Sequence, residues 1–144
     1  MAIYSLSLNT TVTTTGAAAA DLKAASTNSP RIMECGVNLI TATASTYGFG
    51  RPANSGSVAQ TTPVLVLPEN PNDPTGLSGC AVAWGTAPTT PANFARRVGL
   101  PATAGAGIIW TFPRGFVLAS SNDAVIWNLA TNSASMNFWF VVDE

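Results

Sequence analysis

The stretch from Gly107 to Val142 constrains the fold of this chain most. It holds four short apolar runs, GIIWTF, FVLA, AVIWNLA and MNFWFVV, each rich in β-branched or aromatic residues and bounded by turn residues. Side chains along a strand point alternately to opposite faces. In the last run Met136, Phe138, Phe140 and Val142 therefore share one face, and Asn137, Trp139 and Val141 share the other. AVIWNLA behaves the same way, with Val125, Trp127 and Leu129 opposed to Ala124, Ile126 and Asn128. SSND before that run and TNSAS after it supply the turns that hairpins require. Burying one such aromatic or aliphatic side chain contributes roughly 1.5–3 kcal/mol, so this segment carries much of the core. It reads as β-sheet with both faces at least partly covered.

The rest of the chain extends that pattern. Thr-rich sequence after Ile3, Leu6 and Leu8 favours a strand over residues 2–13, through β-branching. GAAAADLKAA, residues 16–25, is the one stretch with helix propensity, and it is long enough for only a turn or two packed on the sheet. Residues 31–43 predict a half-buried strand with Met33, Cys35, Val37 and Leu39 on one face and Glu34, Gly36 and Asn38 on the other. STYGFGRPANSG reads as a Gly/Pro-punctuated loop; Gly48 and Gly50 lack the third glycine and the helix of a dinucleotide fingerprint. TPVLVLP is a short strand fenced by Pro63 and Pro68, as at a strand end or sheet edge. CAVAWG is a further strand, with Cys80, Val82 and Trp84 opposed to Ala81 and Ala83, and ARRVGLPAT ends in another. About eight strands with turn signals between them predict an all-β fold, an antiparallel β-sandwich or barrel, formed by residues 1–144 as a single domain with at most one short helix near residues 16–25.

Only 9% of the residues are charged, where about 25% is typical. Such a surface suits a protein inside an assembly or outside a cell. The net charge is −1 and Arg96-Arg97 is the sole basic pair, so the chain is not expected to bind nucleic acid. No apolar run is long enough to span a membrane, and MAIYSLSLNTT does not read as a secretory signal. Cys35, on the apolar side of its strand, reads as a buried thiol, and a Cys35–Cys80 bridge stays open on sequence.

The absence of histidine removes Ser-His-Asp, Cys-His and His-based zinc arrangements, and two cysteines cannot close a thiolate site. Lys23 is the only lysine, and no serine is marked as its partner. Glu69, Asn70, Asn72 and Asp73 in ENPNDPTG read as turn chemistry rather than calcium ligands, because their spacing does not match an EF-hand loop. Glu34 reads as the solvated face of its strand or a partner for Arg31. Neither catalysis nor a cofactor or metal is expected. Trp84, Trp110, Trp127 and Trp139 read first as core, or else as an aromatic platform for a sugar or a neighbouring subunit; Trp139, sharing its face with Asn137, is the best exposed candidate. Arg96, Arg97 and Arg114 are candidate interface anchors.

The stretches GIIWTFPRGFVLASSNDAVIWNLA and MNFWFVVDE, with AVAWGTAP and GFGRPA, resemble a group of small virion proteins of tailed phages and prophage regions. The resemblance runs over most of the chain and has no site motif to carry over. It implies a jelly-roll sandwich, often a trimer, made in the host cytoplasm and sitting on the capsid exterior against the major capsid protein as a decoration or cement protein. A tail or fibre location is the other implied setting, where a carbohydrate-binding sandwich would serve host adhesion. In such a body the Thr-rich N-terminal sequence is either an arm reaching a neighbour or a plain edge strand.

Overall fold

The structure, a computed structural model, describes residues 2–12, 14–58 and 63–144. Thr13 and Thr62, at the ends of two expected strands, lie outside the described residues. Among the described residues there is no helix. The strands are β1 (Ile3–Val12), β2 (Ala17–Lys23), β3 (Arg31–Leu39), β4 (Ser45–Gly50), β5 (Ser57–Val58), β6 (Val64–Leu65), β7 (Leu67–Pro68), β8 (Gly79–Ala81), β9 (Trp84–Thr86), β10 (Arg96–Leu100), β11 (Gly107–Val117), β12 (Asp123–Asn128) and β13 (Ala134–Asp143).

These strands form two antiparallel sheets packed face to face. The first has the order β11-β3-β13-β1-β7, the second β10-β4-β12-β2-β8-β6, and β5 and β9 pair separately. The long strands alternate between sheets along the chain, and the last one returns to lie beside the first, from Ile3↔Asp143 to Val12↔Ala134. This is the jelly-roll path. It fixes which loops meet. The β1–β2, β3–β4, β10–β11 and β12–β13 connections gather at one end. The β2–β3 and β11–β12 connections gather at the other, where Ile3, Asp143, Arg31 and Val117 line up across the first sheet.

The alternation expected for β13 and β12 holds. Met136, Phe138, Phe140 and Val142 are buried between the sheets, as are Ala124 and Ile126, while Val125 and Trp127 belong to a second, smaller core on the outside of β12. Phe49 of β4 reaches across the main core to Trp110, Phe112 and Phe116 of β11, with ring centroids 6.1, 5.4 and 5.1 Å away.

Two segments differ from expectation. Residues 17–23 form a strand, where Ala-rich sequence suggested helix. Helix preference amounts to only a few tenths of a kcal/mol per residue for most residue types, and here it is outweighed by pairing on both sides, with β12 and β8, and by burial of Ala20 and Leu22. STYGFG is also a strand, β4, rather than a loop. Tyr47 and Phe49 point into the core, and Gly48 and Gly50 point outward. Glycine is required at 48 because residues 84–95 lie over this face, and a Cβ there would come 2.6 Å from Phe94 Cδ1.

Smaller departures have similar causes. A bulge in β3 puts Ile32, not Met33, beside Cys35 in the core. TPVLVLP bends at buried Val66, so β6 edges the second sheet and β7 the first, closing one side of the sandwich. CAVAWG divides into β8 and β9 as the chain leaves the second sheet and crosses to the outer core, where Trp84 packs. GIIWTF and FVLA meet in one strand, β11, interrupted by a register shift between Thr111 and Phe116 that throws Pro113 and Arg114 outward. β1 is no arm, because β13 pairs with it from Ile3 to Val12, but β7 flanks it only at Tyr4 and Ser5, so among the described residues its Thr-rich part is a plain sheet edge.

Candidate interaction surfaces

The two sheets present unlike outer faces. The second is covered by its own chain. Phe94 meets the fully buried Trp127 edge-on at 5.5 Å, and Arg97 lies 5.6 Å from the Phe94 ring. Asp21, buried on this face, ties the covering segment down by accepting from Ala81 N at 2.8 Å and from Trp84 Nε1 at 2.9 Å. Burial raises its carboxyl to about 6, against the lowering effect of those two hydrogen bonds.

The first sheet has an open outer face. Trp139 sits at its middle, half-buried, with its six-membered ring over Gly36 and its indole N–H donated to Glu34 Oε1 at 2.8 Å. The alternation places Trp139 outward as expected. Glu34 is on the solvent side but serves the tryptophan. Beside this pair, Asn38, Asn137 and Asn9 stand in one cross-strand row.

The arginines expected at an interface separate. Arg96 and Arg97, being neighbours in a strand, point to opposite sides. Arg96 lies 5.3 Å from the Phe112 ring, shares a shallow groove of about 380 Å³ with Pro113 and Arg114, and donates Nη1 to Ala95 O. The structure therefore joins Arg96 to Arg114 and leaves Arg97 and Trp139 on other surfaces. Arg51 completes this corner: its guanidinium stacks 4.1 Å from the Phe116 ring and donates to Val117 O at 2.6 Å. No sequence signal marked Arg51, because its partners come from β11, 65 or more positions away. Cation–aromatic contacts of this kind are worth about 0.5–1 kcal/mol at exposed sites.

A third surface runs along the closing edge. Val64, Leu65 and Leu67 are exposed there, as is Leu77, whose backbone N–H is held at 2.8 Å by the Glu144 carboxylate. The same carboxylate accepts from Ser78 Oγ at 2.8 Å and from the Asn28 amide. In the nearby loop Asn70 Oδ1 accepts from Asn72 N, which is the turn chemistry expected of ENPNDPTG.

Cys35 and Cys80 are free, buried thiols, and burial pushes both far from the thiolate form that attacks or ligates. Among the described residues no group of three or more Cys, Asp or Glu could hold a metal ion, and no helix is long and apolar enough to cross a membrane. The chain matches no protein-family model and no curated protein sequence.

Proposed function

We propose that this chain is a structural virion protein of the decoration or cement type, made in the host cytoplasm, that binds the exterior of a phage capsid as an oligomer, a trimer, and stabilises the major capsid protein shell. The observation that carries the reading is the closing edge. Val64, Leu65, Leu67 and Leu77 stand exposed around two short strands whose outer backbone groups have no neighbour in the sheets among the described residues, and such an edge favours docking against another protein. The scarcity of charge and the jelly-roll body support it. The test is co-sedimentation with expanded capsid shells. Binding, a higher shell disruption temperature, and loss of both in Leu67→Asp are expected; a wild-type chain that leaves shells unbound would overturn the reading.

A second reading, a carbohydrate-binding module of a tail or fibre, is favoured by Trp139. Its ring is spread over Gly36 on an open sheet face beside a row of amides, an arrangement on which a pyranose ring can stack. Host polysaccharide should then shift tryptophan emission, and Trp139→Ala should abolish the shift. A silent glycan panel would dismiss this reading.

A further inference from the structure

The two sides of the sandwich differ in charge. On one side β10 and β11 are the last strands of their sheets, and the seam between them is filled by the rings of Phe49, Phe112 and Phe116. Arg51 and Arg96 lie against those rings, and Arg114 stands exposed beside them. Arg51 and Arg96 donate to backbone carbonyls, Val117 O and Ala95 O, and among the described residues none of the three guanidinium groups meets a carboxylate at salt-bridge distance. Asp123, which shares a small pocket with Arg51, is buried and accepts from Ser55 Oγ. A guanidinium has five N–H donors in a fork that matches a carboxylate, so each of these arginines keeps donors to spare.

On the other side β6 and β7 close the sandwich, and the loop after β7 carries Glu69, exposed, and Asp73, half-buried. Lys23 is the cation beside this edge, and Asp21 shares its pocket. The loop is held in shape: Asp73 N donates to Asn70 O at 3.0 Å and Asn72 N to Asn70 Oδ1 at 3.1 Å. Little ordering is then needed when it is covered. The strand register sets the two sides level. Val117 pairs with Arg31, Arg31 with Asp143 and Asp143 with Ile3, one row across the first sheet. Arg51 is tied to Val117 O at one end of this row, and Glu69 N to Ile3 O, at 2.9 Å, at the other. With strands about 4.8 Å apart, Val117 and Glu69 stand roughly 20 Å from each other on opposite sides. Apolar groups accompany both: Val117 is 43% exposed beside the arginines, and Leu67 is 65% exposed beside the acids.

We infer that copies of this chain associate head to tail, the arginine side of one copy taking the Glu69–Asp73 side of the next. Like sides repel: two arginine sides would face cation with cation, and two closing sides acid with acid. Unlike sides match in sign, in exposed apolar groups and in level along the strands. A contact between two different patches closes by rotation into a ring or grows into a filament, and three copies are the fewest that make such a ring. The inference deepens the assembly reading, on which it rests for the trimer. It names the neighbouring copy as the partner of the closing edge, so that Leu67→Asp acts on shell binding through the oligomer.

Sedimentation velocity of the purified full chain, with a monomer mass of 14.8 kDa, should give a trimer at low salt that dissociates more readily as salt approaches about 1 M, because the paired charges are screened. Arg114→Glu and Glu69→Arg, both at exposed positions, should each weaken association by about tenfold or more, and the two together in one chain should restore it. Thr131→Glu, exposed in the β12–β13 connection away from both sides, should leave the trimer intact. Circular dichroism of each variant keeps misfolding apart from lost association. A wild-type chain that stays monomeric at high concentration, a two-fold dimer, or an oligomer that both charge reversals leave intact would overturn the inference. A chain monomeric alone that still sediments with shells overturns it and keeps the shell-binding reading; a trimer broken by both reversals that ignores shells does the reverse.

Discussion

The six-membered ring of Trp139 occupies the space that a Cβ would take on Gly36, and its N–H is held by Glu34 at 2.8 Å. A glycine in the middle of a strand ordinarily costs about 0.5–1 kcal/mol relative to alanine. Here the sign reverses. Gly36→Ala must lift the indole off the sheet and break its hydrogen bond, so a loss of about 1–3 kcal/mol is expected. Urea denaturation measures the loss, and a red-shifted emission of the native variant would report the displaced ring. Stabilisation by Gly36→Ala would show that the ring does not rest there.

Asp21 makes stability depend on pH in an unusual direction. Its carboxyl is raised from 3.8 to about 6 by burial, so the folded chain holds the proton more tightly than the unfolded chain. Proton uptake as pH falls from about 7 towards 4 then favours the folded state, and the gain is lost as pH rises through 6. The full shift corresponds to at most about 3 kcal/mol. Thermal melts at pH 7, 6 and 5 should show a rising midpoint for the wild type and a flatter series for Asp21→Asn. A midpoint that falls over this range would contradict the account.

Phe94 seals the outer core over Trp127. Phe94→Ala should expose that indole and loosen the covering segment. Because Phe94 is half-buried, the expected cost is about 2 kcal/mol, below the 3–5 typical of a fully buried ring. Iodide quenching of tryptophan should increase in the native variant. Unchanged quenching would mean that residues 84–95 cover Trp127 without this side chain.

The two thiols should be silent in the native protein. Cys35 and Cys80 are both buried and burial disfavours their thiolates. A chromogenic disulfide reagent at pH 8 should react with neither until denaturant is added, and then with both. Immediate reaction of one equivalent would place a thiol at the surface.

Much of the fold can be read from local sequence. β12 and β13 were legible because large apolar side chains recur at every second position, and β1 and β3 because alternation outlasts their polar residues. β2 and β4 were not. Four alanines in a row have no face to reveal, and YGFG puts glycine where an outward residue should be informative. In both cases the deciding partner is distant in sequence: β12 and β8 for β2, residues 94–95 for β4. The interaction surfaces were legible only in part. Trp139 was placed outward by parity alone and parity likewise parts Arg96 from Arg97, whereas Arg96 meets Arg114 because β10 and β11 edge the two facing sheets.

By itself the sequence determined that this is an all-β chain, and it determined the parity of its clearest strands, since side-chain direction along a strand is a local property of the extended backbone. Only the tertiary structure decided which face each strand covers and which arginine meets which ring. Those outcomes depend on the direction in which each strand runs and on what is laid against it, and both are set by the jelly-roll path of the whole chain.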